Sequence, residues 1–234
     1  MDSVVNLKTG SALIIAAHPD DEALGCGGTI ARWSDQDAAI HLAFLADGIG
    51  SRNPASDAER EALEQRRSAA DRAAQILDVS SIQYDELPDN QLDTIPLLQI
   101  TQRIEGLIRY YQPDTVITHH AGDLNVDHRR VHQAVMTACR PQLGHPVRTI
   151  LCFEVASSTE WQPPGSGEPF APNWFEDIST TLPRKLEALD AYAAEMRDWP
   201  HPRSREGVEH LARWRGATVG CEAAEAFFLA RCLR

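Results

Sequence analysis

Short apolar runs alternate along the chain with stretches whose apolar positions repeat at helical spacing. Residues 12–17 (ALIIAA) form a continuous apolar run, the pattern of a strand covered on both faces. The polar, glycine-rich turn HPDDEALGCGG follows and leads into a helix through TIARW. A second strand is expected over 38–47, then a loop, GIGSRNPAS, and a charged helix over about 57–77. Ser56 and Glu59 have capping-box spacing, which makes Ser56 the expected N-cap. A third strand (81–87), the turn LPDNQLD, an amphipathic helix (94–111) and a fourth strand (114–120) come next. A helix over 126–140 and a fifth strand over 149–155 complete the rhythm.

Strand–helix alternation predicts an α/β, Rossmann-like fold: a mostly parallel sheet with helices on both faces. After residue 156 the rhythm breaks. Residues 161–172 hold four prolines and two glycines and read as an irregular surface loop. The segment WFEDIS, helices over about 182–196 and 204–215, and a last segment EAFFLARCL then form a C-terminal α/β extension. It is expected to pack on the first layer and close one side of a pocket. The expectation is a single domain, 1–234, with a core of about 10–156 and an extension of about 157–234.

Composition narrows the partners. A formal net charge of −12 argues against a general nucleic-acid binder, which needs basic surface to displace counterions. The sequence has no apolar run of membrane-spanning length and no signal-peptide pattern at its start, so a cytoplasmic protein is expected. Five scattered cysteines, with no CxxC pair, read as free thiols.

The chemistry concentrates in two motifs. His18-Pro19-Asp20-Asp21-Glu22 sits where the first strand ends, the edge at which open α/β sheets bind ligands. Three carboxylates within five residues repel one another unless something positive neutralises them, and a divalent metal does so directly. The second motif, Asp123-Leu124-Asn125-Val126-Asp127-His128, follows the fourth strand and reaches the same edge. Two histidines and an aspartate make a three-ligand site with positions left for water, the arrangement of catalytic zinc. The competing reading is that Asp123 or Asn125 simply caps the following helix.

With these residues in view, the chain resembles the LmbE-like, or PIG-L, deacetylases. AHPDDE at 17–22 and Asp127-His128 match the family's two signatures, and ADGIGSR (46–52), LPDNQLD (87–93), THHAGDLNVDHRRVHQAV (118–135) and MRDWPHPRS (196–204) extend the likeness. The resemblance implies zinc, with Fe2+ or another divalent metal as the alternative, held by His18, Asp21 and His128. It implies Asp20 as the base, and a small-molecule N-acetylglucosamine-type conjugate as substrate. Homo-oligomers are a further implication. Many members carry a histidine where this chain has Asn125, which donates a hydrogen bond but carries no charge. Asn125 and Asp127 are therefore grouped with Asp20 as the catalytic set, and His119, His120 and His201 are further candidates for the missing histidine's work.

Arg52, His120, His201 and Arg203 are the candidate substrate-binding residues. Arg52 follows the second strand, where an arginine suits sugar hydroxyls or a phosphate and equally reads as an exposed loop residue. Arg203 is read as a site for an anionic part of the substrate, and Ser204 as a helix cap. His132, four residues after His128, reads as support behind the ligands, and the glycines at 25, 27 and 28 as room for close backbone approach to the metal loop. Two other classes compete. A non-haem iron oxygenase also uses two histidines and one carboxylate, and dependence on dioxygen discriminates it. A non-catalytic sugar-binding module would bind without releasing acetate. A magnesium phosphotransferase fits poorly, since it would favour oxygen ligands.

Overall fold

The structure, a computed structural model, describes residues 9–46 and 57–233. Arg52 and the expected cap Ser56 lie outside the described residues. Seven strands form one sheet: β1 (Ser11–Ala16), β2 (Ala39–Ala46), β3 (Ser81–Leu87), β4 (Thr115–His119), β5 (Thr149–Phe153), β6 (Trp174–Asp177) and β7 (Ala224–Cys232). The spatial order is β3-β2-β1-β4-β5-β7-β6. The first five strands are parallel, and β7 runs antiparallel to both β5 and β6. This is the expected mostly parallel sheet, with the extension adding two strands at one edge: β7 runs against the rest, and β6 runs again in the direction of β1–β5.

Among the described residues the α-helices are α1 (Asp21–Ser34), α2 (Asp57–Leu77), α3 (Leu97–Tyr111), α4 (Val126–Ala138), α5 (Leu182–Ala191) and α6 (Arg205–Ala217). Strand periodicity splits β1 between the two faces. Ala12, Ile14 and Ala16 join the core beneath α1, α2, α5 and α6, and Leu13 and Ile15 join the core beneath α3 and α4. Each fully buried leucine or isoleucine side chain here contributes about 1.5–3 kcal/mol. None of the described helices is long and apolar enough to cross a membrane.

Three elements depart from the sequence pattern. The helix expected from 94 begins at Leu97, because Pro96 stands just before it and disfavours helical backbone at residue 95. The helix expected over 182–196 ends at Ala191, although AYAAEM would continue it. There the backbone turns, with the N–H groups of Glu195 and Met196 donating to the Tyr192 carbonyl. The third is α1, which begins at Asp21 inside the HPDDEALGCGG stretch expected as a turn. The Asp20 carbonyl accepts the Leu24 N–H (2.9 Å), and the glycines let the helix pack closely on Phe153 and Ile178; it kinks at Cys26 (φ −147°, ψ 21°).

Sheet order fixes where ligands meet the fold. β1 lies between β2 and β4, so the chain leaves β1 toward α1 on one face and leaves β4 toward α4 on the other. The crevice at this switch point opens beyond the carboxyl ends of β1 and β4.

Candidate metal centre and its cleft

Both motifs emerge into that crevice. His18 and Asp20 occupy the turn after β1, Asp21 begins α1, and His128 lies in the first turn of α4. Nδ1 of His18 is 3.4 Å from Asp21 Oδ2, and Nε2 of His128 is 3.4 Å from Asp21 Oδ1. The three ligand atoms lie within 4.8 Å of one another, and all three residues are buried. Atoms bound about 2.0–2.2 Å from a tetrahedral zinc stand about 3.4 Å apart, so the spacing fits such an ion.

The opposite ring nitrogens support the same assignment. His18 Nε2 faces Asp89 Oδ1 at 2.9 Å and Asp127 Oδ2 at 3.0 Å. That nitrogen therefore carries the proton and leaves the Nδ1 lone pair for a ligand. Asp123 Oδ1 stands 3.1 Å from His128 Nδ1, although out of line for a full hydrogen bond. Asp123 is itself held by the hydroxyls of Ser158 (2.5 Å) and Thr159 (2.6 Å). His119 stacks on His128, ring centroids 3.9 Å apart, and its Nε2 accepts the Ala17 N–H.

Charge follows this arrangement. Burial pulls the His128 pKa down, but Asp21 and Asp123 more than offset it and raise it to about 9. Burial pushes Asp21 up, and His128 with His119 outweighs it, holding Asp21 well below the usual carboxylate range. The corner is thus organised around concentrated negative charge that either protonated imidazoles or a cation must balance.

Asp20 sits apart from the three candidate ligands. Its backbone is left-handed (φ 116°), a strained conformation for a residue with a side chain, worth about 1–3 kcal/mol. Its N–H donates to Glu22 Oε2 (3.0 Å), and its carboxylate accepts from the Arg203 guanidinium (2.9 Å). Burial raises its pKa to about 6, against the opposing pull of Arg203. Arg203 also donates to Ser157 Oγ (3.1 Å), so its guanidinium is committed to the protein. Glu22 is buried, with its pKa pushed up to about 8 by burial, and receives the Tyr192 hydroxyl at 2.7 Å.

The remaining expected residues are placed unevenly. Asn125 lines the cleft as the N-cap of α4: its side-chain oxygen accepts the Asp127 N–H (2.8 Å), and its amide NH2 donates to Asn90 Oδ1 (3.2 Å). Asp127 is fully buried behind His18 and accepts the N–H groups of Asn90 and Leu92, so it fixes the ligand and the 88–92 turn rather than facing the cleft. His120 is not brought to the cleft; its Nε2 lies 2.9 Å from the Glu168 carbonyl, and its ring packs on Phe170. His201 is likewise elsewhere, accepting the Arg203 N–H and touching Trp161. His132 reaches the His119 carbonyl (2.9 Å). The glycines of α1 serve packing on neighbours, not approach to the ligands: a Cβ at Gly25 would meet the Phe153 ring at 2.3 Å, and one at Gly28 would meet Ile178 at 2.7 Å.

Sequence reasoning missed most of the supporting residues. Asp89 lay within the LPDNQLD turn without an assigned role. Tyr192, Lys185 and Glu225 carried no signal. Lys185 Nζ donates to the Leu24 carbonyl (2.8 Å) and to Glu225 Oε1 (2.5 Å), and Glu225 accepts the N–H groups of Gly28 (2.9 Å) and Thr29 (2.7 Å). This buried pair takes up backbone groups on both sides of the α1 kink. The cleft in front of the centre encloses about 1150 Å³ and is completed by α2 and by residues 191–197.

Fold and site together define an α/β protein with a candidate metal centre at the switch point of a parallel sheet. The model of the PIG-L family, described as GlcNAc-PI de-N-acetylase, matches residues 13–139, more than half of the chain, and the protein belongs to that family. A probable N-acetyl-alpha-D-glucosaminyl L-malate deacetylase 2 of Bacillus cereus is 26% identical over 189 residues, covering 78% of this chain and 82% of its own. A 4-oxalmesaconate hydratase of Pseudomonas putida is 25% identical over 212 residues, 84% of this chain and 78% of the relative. The N,N'-diacetylchitobiose deacetylase of Pyrococcus horikoshii has the same fold, with a TM-score of 0.77 at 21% identity over 95% of this chain and 84% of that one.

Proposed function

We propose that the protein is a metal-dependent hydrolase that removes the N-acetyl group from an N-acetylglucosamine-type sugar conjugate. One observation carries the reading: two buried histidines each turn one nitrogen toward Asp21 while a carboxylate stands behind the other, with a separate buried carboxylate, Asp20, on the cleft wall. His18, Asp21 and His128 would hold the metal, with zinc the assignment and Fe2+ or another divalent ion compatible with the same donors. Bound there, zinc supplies an acidified water and polarisation of the acyl oxygen.

The chain's own residues do the rest. Asp20 takes the proton from the attacking water: with a pKa of about 6 it is mostly ionised at neutral pH and still a useful base. As the C–N bond breaks, Asp20 returns that proton to the departing nitrogen, which leaves as the neutral amine. Arg203 holds the carboxylate in place, and its positive charge keeps Asp20 from rising further. Asp127 and Asp123 fix the two imidazoles. Asn125 has its oxygen committed to α4 and one amide proton to Asn90, which leaves a neutral donor edge for the acyl oxygen beside His128.

The family match and the named deacetylase relatives support amide hydrolysis. The same corner would also serve addition of water to a double bond, the activity named for the Pseudomonas putida relative. Acetate release from a panel of N-acetylglucosamine conjugates, followed with and without dioxygen, tests the reading. Acetate formed at equal rates under both conditions supports it. Binding without acetate, or turnover that requires dioxygen, contradicts it.

A further inference from the structure

Resting on the reading of Asp20 as the base, we infer that Tyr192 is a positioning residue for it: acting through Glu22, its hydroxyl fixes the backbone of Asp20 and so the place of the carboxylate in the cleft. Asp20 meets two demands that conflict. It presents a carboxylate to the cleft, yet its backbone is left-handed (φ 116°, ψ −28°). Glycine adopts that conformation freely but brings no base, and a residue with a Cβ holds it only when its surroundings impose it. The Asp20 carbonyl is fixed by α1, where it accepts the Leu24 N–H (2.9 Å). The direction of the Asp20 N–H then decides φ. That N–H donates to Glu22 Oε2 at 3.0 Å. Released from it, the residue would relax toward negative φ and swing its Cα–Cβ bond, and with it the carboxylate that Arg203 holds at the other end.

Glu22 can hold that N–H only if its own carboxylate is held. The Tyr192 hydroxyl does this, donating to Oε1 at 2.7 Å, so the two oxygens of one carboxylate are divided between the base and the tyrosine. Both side chains are buried, so bulk water does not readily replace the hydroxyl as a donor. Tyr192 is itself rigid. Its ring belongs to the core beneath α1, α2, α5 and α6, and its carbonyl accepts the N–H groups of Glu195 and Met196 in the turn that ends α5. A hydroxyl bonded to Glu22 on a side chain only 1% exposed is placed to act on Asp20 and not on the substrate. The end of α5 thus belongs to the machinery of the base, although it lies about 170 residues away in sequence.

The test measures kcat, KM and metal content for acetate release by the metal-loaded parent, Tyr192→Phe, Glu22→Ala, their double variant and Glu22→Gln. The substrate is whichever of N,N'-diacetylchitobiose, UDP-N-acetylglucosamine and an octyl N-acetylglucosaminide the parent turns over fastest. Tyr192→Phe is expected to lower kcat roughly 10–100-fold, the scale of a misplacement of about 1 Å, with KM and metal content unchanged. Glu22→Ala should fall at least as far, and the double variant no further than Glu22→Ala, because the hydroxyl acts through Glu22. Glu22→Gln keeps an oxygen for the Asp20 N–H and an amide for the tyrosine oxygen, and should retain most of the parent's rate. Tyr192→Phe with the parent's kcat, or changed only in stability, KM or metal content, overturns the inference and leaves the deacetylase reading standing. So does a double variant slower than Glu22→Ala by the whole Tyr192→Phe factor. Glu22→Gln as slow as Tyr192→Phe also overturns it, since the pair would then act by charge and not by holding the N–H. Should Glu22→Ala fail to fold, Tyr192→Phe and Glu22→Gln decide between these outcomes. A parent that releases acetate from none of the three substrates overturns the deacetylase reading itself.

Discussion

One wall of the cleft is built from the loops after β1, β3 and β4, and the other from α2 and the C-terminal extension. In the first wall the chemistry is local: His18, Asp20 and Asp21 lie within four residues, and His128 sits five residues after the carboxylate behind it, Asp123. In the second, every contact with the site spans a large sequence separation: Arg203 to Asp20, Tyr192 to Glu22, and Lys185 with Glu225 around the kink of α1. The first wall supplies the candidate metal ligands. The second sets the position and charge of what lies beside them. Candidate ligands that fall in two tight turns leave two short motifs, whereas residues that brace those turns from across the fold leave none.

The difference can be broken experimentally, beginning with its largest effect. Asp20→Ala should lower kcat for acetate release by about 10²–10⁴-fold, the usual contribution of a general base, with metal content unchanged by elemental analysis. Near-normal turnover in that variant would remove Asp20 as the base.

Next comes the brace. Lys185→Met leaves Glu225 buried without its cation and should cost about 3–5 kcal/mol of stability, read by denaturant unfolding. The double variant Lys185→Met/Glu225→Gln should recover part of that loss. A single variant as stable as the parent would show that the pair does not hold the kink.

The smallest effect is on pH. Asp20 works ionised, so activity should rise with pH through its pKa, about 6. Arg203 lowers that pKa, so Arg203→Met should move the acid limb of kcat/KM to higher pH, by roughly one unit or more. A lower rate with an unmoved limb would mean that Arg203 only shapes the cleft.

The same contrast explains what could be read from the chain. The alternation of apolar runs and helical stretches anticipated five parallel strands, because each is long enough to show its pattern. WFED, only four residues of β6, showed none, and β7 was left unassigned. The helix expected to reach 196 stops at 191 although its residues favour helix, and tertiary contacts decide the outcome: Tyr192 reaches Glu22, and Glu195 pairs with Arg66. Asn125 shows the reverse case. Its capping role was legible from its place before α4, and the structure bears that local reading out. Arg203 was legible as a site residue but not in its partner, since nothing within one sequence links position 203 to position 20.

The central claim is that His18, Asp21 and His128 hold the metal on which deacetylation depends. Its most direct test measures metal content and acetate release on the same samples of the parent protein and of His128→Ala. The account predicts about one divalent metal per chain and steady acetate release in the parent, and loss of both in a variant that remains folded. A folded His128→Ala that keeps full metal occupancy, or releases acetate at the parent rate, would contradict it.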